Sequence, residues 1–159
     1  MSRTTPRSYY ELFVVPNLHD YLDDPTVIHR GFNASVSAFQ LADIMWGFYR
    51  RTDRNKLSQW PNKGAFLADL GRREPFFVTI QSVATAYKHL YTESSYEVPS
   101  PGPARVSEPS DDTELEFLER GTQKGDVIVR RRNGSEFSLT AALTAVVDKL
   151  WPSVLPEEN

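Results

Sequence analysis

Cysteine is absent from the chain. Disulfide staples, thiolate metal sites and thiol nucleophiles are therefore excluded. No apolar run reaches the ~18 residues of a membrane-spanning helix, so no membrane span is expected. The N-terminal stretch MSRTTPRSYYELF has two arginines but no apolar core of signal-peptide length. Both absences fit a cytoplasmic setting. Charge of either sign is modest: 18 Lys and Arg against 21 Asp and Glu leave a net −3. A general nucleic-acid binder needs a basic face, so nucleic acid is disfavoured as a partner. Glycine-rich phosphate loops, a GxSxG elbow and the kinase motif set are also missing. Nothing in the chain implies a cofactor.

What is present is a helical pattern. Residues Phe32 to Arg50 (FNASVSAFQLADIMWGFYR) contain no proline, and their second half is apolar on most sides. Such a helix must be surrounded by other elements. The 159 residues suit one domain that buries roughly 70% of its unfolded surface. The expected fold is mainly α: a bundle of four to five helices with a small β-hairpin before the C-terminal helix. Residues 8–92 form the bundle. Residues 93–113, rich in Ser, Pro and Glu, form an extended or mobile segment. Residues 114–156 supply the hairpin, as an appendage, and a last helix packing on the bundle.

Local signals place the elements. Ser8 to about Leu22 has helical spacing, and Pro16 predicts a kink or a split. Asp23-Asp24-Pro25 reads as a capped helix start. From there a helix runs to Tyr49 or Arg51, with Phe32, Ala34, Ala38, Phe39, Leu41, Ala42, Met45 and Trp46 on one broad face whose small centre admits a close neighbour. Pro61-Asn62 starts a short helix over about 63–71, with Gly71 as its C-cap. Glu74-Pro75 opens another, to about Tyr91. Asn133-Gly134 between strand-like runs is the strongest hairpin signal. Ser138 or Thr140 caps the last helix, whose stripe includes Leu139, Leu143, Val146, Leu150 and Trp151.

Four sets of residues could carry chemistry. Asn33, Ser37, Gln40 and Asp43 lie within about 120° of arc on the long helix. They could line a pocket, or be satisfied by nearby backbone. His19, His29 and His89, with Asp20, Asp23 and Asp24, offer metal-ligand types, yet no HxxxH, HxxE or ExxH pair sets two of them on one helical face. Basic runs at Arg50-Arg51, Arg54 and Lys56, at Arg72-Arg73 and at Arg130–Arg132 fit a helix dipole or strand-edge protection better than a nucleic-acid groove. Glu119, Asp126 and Glu136 can neutralise the hairpin arginines. Trp60-Pro61 stands in an expected loop, where an exposed Trp would contact a partner or plug the end of the bundle.

Pro16-Asn17, Asp24-Pro25, Asn33-Ala34, Ser37 and Leu41-Ala42-Asp43 together resemble a set of small bacterial helical proteins of unknown function, in which an N-A-x-x-S-x-x-x-L-A-D run occurs. The resemblance covers roughly residues 10–50. It implies a bacterial, cytosolic setting and no particular activity. The Arg–polar–xxx–His motif of HEPN ribonuclease domains is not matched, because no Arg stands four to six residues before His89. The leading expectation is a non-catalytic binding or protein-interaction module, with a protein partner or a second copy engaged through Trp60 or the polar stripe. The alternatives are a small metal-dependent hydrolase or nucleic-acid-processing enzyme, with Asp43, His19 or His29 around a cleft, and a small-molecule sensor with a pocket at Asn33 and Ser37.

Overall fold

The computed structural model describes residues 4–92, 105–107, 114–120, 126–130 and 135–158. The first helix, α1, runs through three consecutive segments, Pro6–Tyr9, Tyr10–Val14 and Val15–Asp23. It is followed by α2 (Ile28–Thr52), a 3₁₀ turn (Arg54–Leu57), α3 (Lys63–Arg73) and α4 (Phe76–Thr92). Strands β1 (Arg105–Ser107), β2 (Glu114–Arg120), β3 (Asp126–Arg130) and β4 (Glu136–Ser138) precede α5, which also has three segments, Leu139–Thr144, Ala145–Leu150 and Trp151–Val154. The fold is thus mainly helical with an antiparallel hairpin before the last helix, as the pattern predicts. That hairpin, β3–β4, is the end of a four-stranded antiparallel meander of order β1-β2-β3-β4. Its Asn133-Gly134 turn, with Arg131 and Arg132, lies outside the described residues. So does most of the 93–113 segment, whose residues 105–107 form β1. Among the described residues no helix is long and apolar enough to cross a membrane.

The α2 helix is the axis of the packing. Its Ala34, Ala38 and Ala42 are fully buried and leave a shallow seam. Trp151 of α5 enters that seam. Its indole N–H donates to the Ala38 carbonyl at 2.9 Å, and its ring meets Phe77 of α4 edge-on at 6.1 Å. Gly31 sits where α1 and α5 converge on α2: a Cβ there would fall 2.7 Å from Leu139 Cδ2 and 3.3 Å from the Tyr21 ring. On β3, Val127 and Val129 share a face and are buried in the same core. The hairpin is therefore not an appendage: alternate residues of a strand point one way, and here they close the core beside the start of α5. In register, Arg130 stands opposite Glu116 on one neighbour and Glu136 on the other.

Three expected boundaries move. The Asp24 carboxylate does not cap α2. It accepts the Thr26 hydroxyl and, at 3.2 Å, the Thr26 N–H, which hold its pKa below the usual carboxylate range and close a turn that delays α2 to Ile28. Gly71 is inside α3, not its cap. Glu74 follows the helix end instead, its N–H donating to the Leu70 carbonyl. A Cβ on Gly71 would stand 2.8 Å from Val78 Cγ2, so close passage of the chain beyond, rather than a turn, explains this glycine. The long helix, expected to end at Tyr49 or Arg51, extends to Thr52, and a 3₁₀ turn follows.

Pro16 neither splits nor breaks α1. The segment before it winds as a π-helix, in which the Val15 N–H donates to the Tyr10 carbonyl five residues back. The wider turn gives room to the proline ring, which in a regular helix clashes with the carbonyl four residues earlier. The same arrangement recurs in α5, where the Trp151 N–H donates to the Val146 carbonyl and Pro152 follows. The Val147 carbonyl thereby loses both helical donors: Trp151 is engaged elsewhere and Pro152 has no N–H. The Tyr10 hydroxyl fills the vacancy at 2.8 Å. Burial pushes the Tyr10 phenol pKa up, with Asp148 adding to it, so the hydroxyl keeps its proton to donate.

Tyr10→Phe should therefore cost about 1 kcal/mol in urea denaturation, the ordinary net worth of a hydrogen bond. In a Pro152→Ala background the cost should shrink, because an alanine at that position restores an N–H within π-register of Val147. Equal costs in the two backgrounds would contradict this account of the bond.

Candidate functional site

Asp43, Gly47 and Arg50 recur at intervals of four and three along α2, with Trp46 beside them. They line one side of an open groove of about 700 Å³. Arg54 and Leu57 of the 3₁₀ turn, then Ser58, Trp60, Pro61, Asn62 and Lys63, close the other sides.

The loop that forms this wall is fastened at each step. The Asp53 carboxylate accepts the Asn55 N–H at 3.2 Å and starts the 3₁₀ turn. Leu57 is buried, and the Trp60 N–H donates to its carbonyl at 3.0 Å. Asn62 caps α3, its Oδ1 accepting the Ala65 N–H at 2.8 Å. Phe66 of α3 lies between two indoles. Trp46 stacks on it at 5.7 Å, and Trp60 packs at a tilt at 4.7 Å. The expectation of an exposed loop Trp is thus corrected: Trp60 is only 7% exposed, because its ring plugs the bundle end and its indole N–H donates to Asp69 Oδ2 at 2.9 Å.

Asp69 is the anchor of this loop. Besides Trp60 it accepts Arg73 Nε at 2.9 Å and the Arg72 guanidinium, and Arg73 reaches on to Gln59 Oε1 at 3.3 Å. The Trp60 bond lowers its pKa most. Desolvation opposes that, while the bond and charge of Arg73 and the charge of Arg72 add to the lowering.

The electrostatics of the groove are asymmetric. Lys63 pairs with Asp43, both about half exposed, a bridge worth little in stability. Arg54 Nε donates to the Arg50 carbonyl at 3.2 Å. Among the described residues neither Arg50 nor Arg54 pairs with a carboxylate. Three cationic side chains therefore face one anionic one, in a chain whose net charge is −3. A Cβ on Gly47 would stand in ordinary van der Waals contact with the Arg51 guanidinium, at 3.5 Å, and with no other side chain of the described residues. Packing does not demand this glycine, although mid-helix Gly costs about 1 kcal/mol relative to Ala.

The structure disperses the polar stripe. Asp43 lines the groove. Gln40 is exposed and accepts the Tyr9 hydroxyl at 3.4 Å. Ser37 is buried, with its hydroxyl on the Ala34 carbonyl at 3.0 Å, one of the backbone-satisfied outcomes open to such a residue. Asn33 lines a separate polar cavity of about 260 Å³ with Asn17, Asp20, His29 and Arg30. That cavity has neither Ser37 nor an aromatic wall, so the sensor pocket expected at those residues is not formed there. His19 is exposed on α1 and His29 stands in the small cavity, while the His89 side chain lies outside the described residues. Among the described residues no three His, Asp or Glu side chains are grouped to hold a metal ion.

Trp46, Gly47, Leu57, Ser58, Asn62 and Lys63 are lining residues that sequence reasoning did not single out for a site, and Arg50 and Arg54 stood there only as parts of a basic run. A signal existed: Asp43, Gly47 and Arg50 lie on one helical line at offsets of four and three. No family model, curated protein or solved structure matches the chain.

Asp69 carries the pH dependence of the loop. Its folded pKa is below the ordinary 3.8, so its contribution is full above that value and is lost as pH falls through the lowered one. The acid limb of wild-type stability should therefore be steeper than that of Asp69→Asn, compared by urea midpoints from about pH 5 to pH 2. At neutral pH the substitution should cost about 1.5–3 kcal/mol, the range for hydrogen bonds to a charged group. Parallel acid limbs would remove Asp69 from this role.

Proposed function

We propose that the chain is a non-catalytic binding module of the bacterial cytoplasm that engages a protein partner through the groove between the end of α2 and the Trp60 loop. The observation that carries this reading is the combination of apolar lining from Trp46 and Leu57, two arginines that pair with no carboxylate among the described residues, and a bare backbone at Gly47 that only the end of Arg51 borders. Surfaces of that kind are held ready for contact when the backbone around them is rigid, and here the Asp69 bonds hold the loop. The cytoplasmic setting is supported by the cysteine-free composition, and the bacterial one by the resemblance over residues 10–50.

A photo-crosslinking amino acid at Ser58, an exposed residue of the groove wall, tests this in cells expressing the protein. A discrete adduct should form, and Gly47→Met, which covers that bare backbone, should abolish it while leaving the melting temperature at or above that of wild type. An adduct of twice the chain's mass identifies a second copy as the partner. No adduct, or one indifferent to Gly47→Met, refutes the groove as the binding surface.

A further inference from the structure

We infer that the occupant of the groove is an extended acidic segment of a partner protein that carries one large apolar side chain. This rests on the binding-module reading above and names the chemistry that would satisfy it.

The shape of the groove sets the kind of occupant. It is an open groove rather than an enclosed cavity. A small ligand needs a site that covers most of its surface, whereas an extended chain can lie in an open channel and set alternate side chains down into it. Trp46, Leu57 and the bare backbone at Gly47 contribute apolar lining. The position above Gly47 is bordered only by the end of the flexible Arg51 side chain, whose guanidinium would touch a Cβ there at 3.5 Å, and an entering side chain would displace it. A Leu, Phe or Trp from outside fits that position chemically, burying apolar surface against Trp46 and Leu57.

Charge complementarity sets the sign. Arg50 and Arg54 sit four residues apart at one end of the groove, and no carboxylate among the described residues pairs with either. Their planar guanidinium groups suit carboxylates, which they can hold bidentately. At the other end Asp43 already holds Lys63. An acidic segment therefore lies with its carboxylates toward Arg50 and Arg54 and its apolar anchor over Gly47, away from Asp43. Nucleic acid fits less well. Trp60 is buried and Trp46 has one face covered by Phe66, which leaves little of the open aromatic surface on which bases stack.

The test is selection of displayed random short peptides on three full-length proteins: wild type, Gly47→Met and the charge-reversed Arg50→Glu/Arg54→Glu. Circular dichroism and melting curves confirm that each variant is folded. Wild type should enrich peptides with several Asp or Glu flanking a Trp, Phe or Leu. Both variants should lose them, and the charge reversal should weaken a synthesised winner by about tenfold or more, with wild-type binding falling as salt rises. Enrichment that depends on Gly47 but shows no acidic bias overturns this inference and leaves the groove standing as a binding surface. Enrichment indifferent to both variants, or none at all, overturns the inference and the groove reading together.

Discussion

The hydrogen bond from the Trp151 indole to the Ala38 carbonyl is the constraint around which the core is arranged. A carbonyl in mid-helix already accepts a bond from its own helix, and a second donor can reach it only if nothing bulky stands beside it. Ala34, Ala38 and Ala42 provide that clearance, and Trp151 is fully buried against them. Because the same ring meets Phe77, one side chain joins α5 to both α2 and α4. Few residues of this size bury an N–H without a partner, so the position of the donor sets how far α5 can rotate or slide on the bundle.

Two glycines of α2 show opposite relations to packing. Gly31 is required, because α1 and α5 come so close that a methyl group would collide with Leu139. Gly47, sixteen residues further along the same helix, is not required by any neighbour. The two ends of α2 therefore differ in character: one is sealed under α1 and α5, the other is left uncovered beside the Trp60 loop. The loop itself is tied through Asp69, so the open end is not a loose end.

Much of the fold is legible in the sequence because helical periodicity and the hairpin signal are local. The stripe of α5 from Leu139 to Trp151, the Asn62 cap and the strand pair around Asn133-Gly134 all belong to that class. What escapes depends on competition between local signals or on contacts far apart in the chain. Asp24 has two uses open to it, and its bond to Thr26 displaces the expected cap. Gly71 has the look of a helix end, while only the passage of Val78 explains it. Pro16 reads as a kink or a split because a wider helical turn leaves no trace in a single sequence. At the groove, Asp43 and Trp60 are visible as individual residues, but their company with Arg50, Arg54 and Gly47 arises from the fold of the 53–62 loop. The other stripe residues, Asn33, Ser37 and Gln40, share an arc on one helix, yet α1 and the bundle divide that arc among three different surroundings.

The bond between Tyr10 and Val147 spans 137 residues, and Arg7 reaches the Pro156 carbonyl across 149. These contacts have a consequence for synthesis on the ribosome. The chain emerges from its N-terminus, and α1 through α4 are complete before Trp151 exists. Until the last helix leaves the tunnel, the alanine seam of α2 faces water and the Tyr10 hydroxyl has no Val147 to meet. The final ~20 residues thus act as the closing clasp of a nascent bundle, and the interval before they arrive is when the apolar seam is open to chaperones or to misassembly.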